Sequence, residues 1–306
     1  MTAPPLFRIG ARGSPLSRAQ AARVAARMAQ AFAVAPDRIA FVAIATSGDR
    51  IQDRALIEAG GKGLFTKELD EALFAGRIDL ALHSMKDVPI ALPDGLAIAA
   101  IPEREDPRDA FISLRAKSLA DLPHAAKLGT ASVRRQAQAL HLRPDLRCEL
   151  LRGNVETRLR KLETGAVDAT FLALAGLKRL GLEAHAASLV DPAECPPAAC
   201  QGALAIVTRV EDAARYAPLA DARAAVETAA ERAFLEVLDG SCRTPIAALA
   251  RYENGALAFI GETLTPDGAR RWRAEAREQG ALTAEDAARI GRACAERIRA
   301  DSARDP

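Results

Sequence analysis

The sequence predicts an α/β protein made of two α/β lobes and a small α+β C-terminal unit. Three observations carry that expectation. Short apolar runs alternate with helix-like segments, the signature of βαβ units and a largely parallel sheet. The alternation stops at a charged stretch with proline at both ends, Pro102–Pro107, and then restarts. A second proline-rich stretch, Asp191–Pro197, reads as a return linker, and beyond about Ala222 the pattern becomes helix, three strands, helix. The expected division is residues 1–102 with 200–220, residues 106–196, and residues 222–306.

The elements follow in order. Leu6–Ile9 reads as a strand, Pro15–Phe32 as a long Ala-rich helix with Ser14 as its N-cap, and Ile39–Ala45 as a second strand. Gly63–Phe74 has Leu64, Phe65, Leu69 and Leu73 on one helical face. Ile78–Leu82 is an apolar run ending in a polar loop, His83–Pro89. In the second lobe, Lys127–Gly129 leads into a helix at Ser132–His141, Cys148–Leu151 into a helix at Val155–Thr164, and Val167–Leu174 is a further strand. Ala203–Thr208 reads as a strand rejoining the first lobe. The C-terminal unit has a helix at Ala224–Leu238, a turn at Gly240–Cys242, strands at Ile246–Tyr252, Ala256–Leu264 and Arg270–Ala276, and a helix at Ala284–Arg299.

Composition excludes several classes. The 306 residues are 49% hydrophobic and 27% charged, ordinary for a globular chain. A net charge of +2 and 4% aromatic residues argue against a nucleic-acid or membrane-surface partner. No apolar run is long enough for a signal peptide or a membrane span, so a cytoplasmic protein is expected. The five cysteines are widely spaced with no CxxC, and with four histidines and no HExxH no metal site is expected. A monomer is the default. Within the balanced charge, arginine outnumbers lysine about fivefold.

Arginine also recurs where strands pass into helices: Arg12 in GARGSP, Arg134 and Arg135 after Gly129–Thr130, Arg152 in LRGN and Arg158 one turn on. A guanidinium at a helix N-terminus opposes the dipole, and the repeated placement makes sense if an external anion lies between. Taken singly, each is equally a solvated surface residue. In HSMKDVP, Asp87 beside Lys86 at a strand end is either a turn before Pro89 or a carboxylate able to protonate an amine and hold a developing cation. Cys242, on the LDGSCRTP turn, is either structural or a nucleophile and attachment point. GGKGLF, with Lys62, lacks the P-loop pattern and reads as a turn or a mobile loop.

In this order, RGSPLSRAQ (12–20), TSGD (46–49), GGKGLFTKELDEAL (60–73), HSMKDVP (83–89), EREDPRDAF (103–111), GTASVRRQ (129–136), LRGNVETRLRKL (151–162), LALAGLKRLGL (172–182), CQGALAI (200–206) and GSCRTP (240–245) closely resemble the porphobilinogen deaminase family. The resemblance implies two lobes like those of type II periplasmic binding proteins, with mixed sheets, plus the α+β unit. It implies condensation of four porphobilinogen molecules, with loss of ammonia, to linear hydroxymethylbilane. It implies a dipyrromethane cofactor joined by a thioether to Cys242, and it assigns catalysis to Asp87. It places Ser84, Lys86, Asp87, Thr130, Ser132, Arg134, Arg135 and Gly153 at the cofactor. It places Arg12, Ser14, Gln20, Lys62, Phe65, Arg152, Arg158, Arg179 and Gln201 toward substrate. Ala131, Cys200 and Ser241 depart from the usual pattern, and none of them touches Asp87 or Cys242 in sequence role. A hinged receptor for a small carboxylate, without catalysis, would share the lobes and the arginines but would leave Cys242 without a purpose.

Overall fold

The structure is a computed structural model and describes residues 4–50, 65–238 and 244–304. Cys242 and Lys62 lie outside the described residues. The chain divides into two compact units: residues 1–105 with 203–224, and residues 106–202 with 225–306. The expected hinge at Pro102–Pro107 contains the first crossing. Residues 225–306 group with 106–202 in the second unit.

In chain order the elements are β1 (Phe7–Arg12), α1 (Pro15–Ala31), β2 (Ile39–Ile44), α2 (Ser47–Arg50), α3 (Lys67–Phe74), β3 (Leu80–Ser84) and β4 (Leu96–Ala100). Then come β5 (Asp109–Ser113), β6 (Lys127–Gly129), α4 (Val133–Leu142), β7 (Arg147–Glu149), α5 (Val155–Glu163), β8 (Ala169–Ala173), α6 (Leu174–Leu180) and β9 (Ser188–Leu189). The chain ends with β10 (Leu204–Arg209), α7 (Ala222–Val237), β11 (Ile246–Glu253), β12 (Ala256–Leu264), β13 (Arg271–Gln279) and α8 (Ala284–Arg304).

The first unit holds a sheet of order β2-β1-β3-β10-β4. β1 pairs parallel with β2 (Phe7 opposite Ile39) and with β3 (Ile9 opposite Leu80), as βαβ connections require. β10 is antiparallel to both β3 and β4, so the sheet is mixed where alternation alone predicted largely parallel pairing. Helix α1 starts on Ser14, whose hydroxyl accepts from the Ser17 amide, with Pro15 at the first helical position. Its Gln20, Ala21, Val24 and Met28 face the sheet, and the last three pack with Phe7, Ile9, Leu80 and Leu82. Helix α3 buries Leu69 and Leu73 as expected. Phe65, expected within this helix, precedes it in a turn and lies under a guanidinium instead.

In the second unit the sheet β7-β6-β8-β5-β9 repeats this order. Three strands from βαβ units run parallel, an antiparallel strand follows, and a short strand closes the edge. Alternation along β5 sends Ala110 and Ile112 to one core and Phe111 to another.

The C-terminal sheet is an antiparallel meander, β11-β12-β13, covered by α7 and α8. Ala230 and Phe234 of α7 pack with Ile290, Cys294 and Ile298 of α8. A Cβ at Gly291 would strike the Ala230 carbonyl, so glycine sets the close approach of the two helices. The edge strand β11 leaves no outward amide open among Ala248, Ala250 and Tyr252. They donate to the Pro197 carbonyl (3.1 Å), Glu231 Oε1 (2.7 Å) and Glu227 Oε1 (3.1 Å). Glu227 and Glu231 are four residues apart on α7, hence on one face.

Candidate active site

In the first unit, β3 delivers HSMKDVP to its C-terminal tip. Met85 is buried, and its amide donates to the Ala203 carbonyl at 3.0 Å. Val88 is buried too, and its amide closes the turn on the Met85 carbonyl at 3.1 Å. These two apolar anchors bracket Lys86 and Asp87, which are both exposed on a tight 3-10 turn. The carboxylate is thus fixed by its backbone while its oxygens face outward.

The residues beneath the turn are buried or half-buried. Gln20 of α1 donates its side-chain amide to Ser84 Oγ at 3.2 Å. His83 is buried, and burial, then the positive Arg12, push its imidazole down to about 4. At neutral pH it is an uncharged ring. Arg12, the last residue of β1, holds its guanidinium 4.3 Å from the centre of the Phe65 ring, a cation–π contact. Ser14 is spent on capping α1: it accepts from the Ser17 amide at 3.2 Å and bonds Ser17 Oγ at 2.9 Å.

In the second unit, the loop from β6 to α4 is built by its own hydrogen bonds. Thr130 Oγ1 accepts from the Ser132 amide at 3.0 Å, and Ser132 caps α4 by accepting from the Arg135 amide. Arg134 and Arg135 follow in the first turn, where the dipole calls for an anion. That anion is internal. Asp109 receives Arg134 Nη2 on Oδ2 (2.9 Å) and Arg135 Nη2 on Oδ1 (2.7 Å), with all three side chains buried. Burial pushes the Asp109 carboxyl up, but Arg134 and Arg135 outweigh it and hold the group well below the usual carboxylate range. Gln201 is buried in the same network and donates to Asp109 Oδ1 and to the Pro107 carbonyl, both at 2.8 Å. Arg135 Nη1 donates to the Phe171 carbonyl at 2.8 Å. Arg134 Nη1 donates to Gln138 Oε1 at 2.8 Å, while its Nε is buried with no hydrogen-bond partner among the described residues.

The loop from β7 to α5 carries the other guanidiniums. Gly153 has φ +119, and a Cβ there would also meet the Thr157 side chain, so the position demands glycine. Asn154 caps α5 through the Thr157 amide at 2.8 Å. Arg158 Nε donates to the Gly153 carbonyl at 2.9 Å. Burial, then the charges of Arg135 and Arg152, lower Arg158 to about 10. Arg135 and Arg152 are therefore near enough to Arg158 to disfavour its charge, and an anion beside Arg158 would relieve that. Arg179 of α6 donates Nη2 to the Gly202 carbonyl at 2.6 Å.

Within the first unit, then, the fold gathers Arg12, Gln20, Phe65, Ser84, Lys86 and Asp87. Within the second it gathers Thr130, Ser132, Arg134, Arg135, Gln201, Arg152, Gly153 and Arg158. Sequence reading missed Asp109 and Gln138. The available signal was an acid in EREDPRDAF with two adjacent arginines downstream, and a glutamine one helical turn beyond Arg134. Among the described residues no group of His, Cys, Asp or Glu is placed to hold a metal ion.

Two family models match: "Porphobilinogen deaminase, dipyromethane cofactor binding domain" over residues 7–217, and "Porphobilinogen deaminase, C-terminal domain" over residues 225–300. A porphobilinogen deaminase of Phenylobacterium zucineum is 57% identical over 284 residues, covering 89% of this chain and 88% of the relative. One of Caulobacter vibrioides is 56% identical over 287 residues, covering 90% and 88%. Among solved structures, a periplasmic substrate-binding protein of an ABC transporter from Coxiella burnetii overlays with a TM-score of 0.43 at 16% identity, covering 70% of this chain and 88% of that one. The periplasmic aliphatic sulphonate binding protein of Escherichia coli gives 0.40 at 16%, covering 78% and 71%. With the two models matching 7–217 and 225–300 and relatives at more than half identity along nine-tenths of its length, this chain belongs to the porphobilinogen deaminase family.

Proposed function

We propose that this chain condenses four porphobilinogen molecules head to tail, releasing ammonia at each addition and giving linear hydroxymethylbilane for tetrapyrrole biosynthesis. It is a transferase, and we place it in the cytoplasm as a monomer. The observation that carries the reading is Asp87, an exposed carboxylate held by two buried anchors at the tip of β3 and preceded by a lysine.

The donor set fits the dipyrromethane group of the family. Each pyrrole carries an acetate and a propionate. Arg135 and Arg152 lie near enough to Arg158 to disfavour its charge, and Arg134 keeps a buried N–H with no hydrogen-bond partner among the described residues. Carboxylates supply what both need. Thr130, Ser132, Arg134, Arg135 and Gly153 of the second unit would hold the group, and the family resemblance adds Ser84 and Lys86. Cys242 would anchor it, and when bound it supplies a nucleophilic pyrrole carbon.

The chain's own residues do the rest. Arg12, Arg152, Arg158 and Arg179 orient the substrate carboxylates, Gln20 supports Ser84, and the family resemblance adds Lys62 and Phe65 toward substrate. Asp87, protonated, gives its proton to the aminomethyl nitrogen, and ammonia departs with the C–N bonding pair. The ionised Asp87 then faces the azafulvenium cation left behind and stabilises it. Once the new C–C bond has formed, the same carboxylate takes the α-proton that restores the aromatic pyrrole, and so returns to its starting state.

Replacing Asp87 by Ala removes both proton transfers. Turnover should fall by about 10³ or more while substrate affinity changes little, because general acid–base groups contribute roughly 10²–10⁴. Near-normal kcat in Asp87→Ala would sink the assignment.

A further inference from the structure

We propose that Glu262 and Gln138 form a clasp that fastens the start of the C-terminal sheet, which begins four residues beyond Cys242, to helix α4, and so positions the α4 arginines toward a group carried on that cysteine. The proposal rests on the functional reading above.

Glu262 lies near the C-terminal end of β12 and has no exposed surface. Its ladder partner on β11 is Ala247. Its Oε1 accepts from Gln138 Nε2 at 2.7 Å. Its Oε2 accepts from Arg273 Nη2 at 2.6 Å and Nε at 3.1 Å. Gln138 passes the connection on, its Oε1 accepting from Arg134 Nη1 at 2.8 Å, and Arg134 Nη2 reaches Asp109 at 2.9 Å. A line of buried directional bonds thus runs from the strand opposite the head of β11 to the first turn of α4. Two further contacts fix the same helix. The tip of the β12–β13 hairpin presents Gly268 at φ +72, where a Cβ would strike the Ala137 carbonyl and the His141 amide. The Gly268 carbonyl lies 2.8 Å from His141 Nδ1.

Stability alone does not call for this arrangement. A buried carboxylate is costly to desolvate, and a well-packed apolar pair commonly serves as well. What a bidentate carboxylate and an oriented amide add is register: they hold only when α4 sits at one rotation and one height against β12. Misplaced arginines would grip poorly the carboxylates of a group tethered from Cys242. Gln138 and Glu262 are therefore positioning residues, acting through Arg134 and Arg135.

The test uses the purified full-length chain and two readouts. One is the fraction carrying the dipyrromethane mass, by intact-protein mass spectrometry. The other is amide hydrogen exchange of the 133–142 segment. In Gln138→Leu and in Glu262→Gln, exchange in that segment should accelerate about tenfold, the equivalent of one lost charged hydrogen bond, and the loaded fraction should drop below about half. The reciprocal swap, Gln138→Glu with Glu262→Gln, keeps one amide and one carboxylate facing each other and should restore both readouts toward the parent. Should Glu262→Gln fail to fold, Gln138→Leu, which removes no charge, decides alone. Faster exchange with a fully loaded chain, or unchanged exchange, overturns the clasp. Cys242→Ser separates this from failure of the functional reading. A bare Cys242→Ser with a loaded Gln138→Leu defeats the clasp alone, whereas an adduct surviving in Cys242→Ser defeats the anchor and the clasp together.

Discussion

Asp109 supplies to Arg134 and Arg135 the anion that their helix position demands, and it does so from inside the lobe. Sequence position identified both arginines but not their partner, because a single buried acid has no periodicity to mark it. Asp109→Asn keeps the shape and removes the charge, leaving two buried guanidiniums against one amide. Unfolding free energy in a denaturant titration should fall by about 3–5 kcal/mol, the cost of breaking a buried pair from one side. His83 makes a second case. Burial lowers its folded-state value to about 4, below the ordinary value of 6.5. The unfolded chain therefore takes up the proton first as pH falls. The stability linked to this group is complete above about 6.5 and is lost as pH drops toward about 4, up to about 3 kcal/mol in all. Melting scans across that interval should steepen in the parent and flatten in His83→Gln. Cys200 has a φ of +61, the left-handed conformation that glycine adopts without strain, and nothing in the structure explains a cysteine there.

Among elements, those with a clear period and a cap were legible. Helices α1, α4 and α5 begin where Ser14, Ser132 and Asn154 stop them from starting earlier, and β12 has the expected bounds. Several short ones were not. β4, β5 and α6 are five, five and seven residues long, and runs that brief fit strand, helix or loop alike. The sheet direction misled for a different reason. Local alternation reports βαβ neighbours, whereas β10 and β5 arrive from across the chain and insert antiparallel. At the candidate site, the loop arginines could be singled out by position, whereas the buried residues bonded behind them, Asp109, Gln138 and Glu262, carry no periodic mark. The glutamates of α7 illustrate an element guarding another. Removing them in Glu227→Ala with Glu231→Ala opens the Tyr252 and Ala250 amides of β11. Those two amides should lose exchange protection before the rest of the sheet, and the exposed edge should raise self-association in sedimentation measurements. Uniform loss of protection across β11–β13 would show the carboxylates acting on the whole sheet instead.

For the whole molecule, a net charge of +2 concealed the relevant quantity, which is where the arginines gather. No described helix is long and apolar enough to cross a membrane. The division of the chain has a consequence for its synthesis. β10 sits between β3 and β4, yet it is made about a hundred residues after them. On the ribosome the first lobe therefore waits with a vacant slot in its sheet, two strand edges bare, until residues 204–209 emerge. The sheet built on β5 to β9 has every strand it needs by then, so the lobe begun second is finished first. A chain stopped at residue 200 should protect the amides of β6 and β8 while those of β3 and β4 exchange freely; protection of β3 in that fragment would refute this order of assembly. Until the last strand of that sheet is translated, the carboxylate of Asp87 hangs from an unfinished edge.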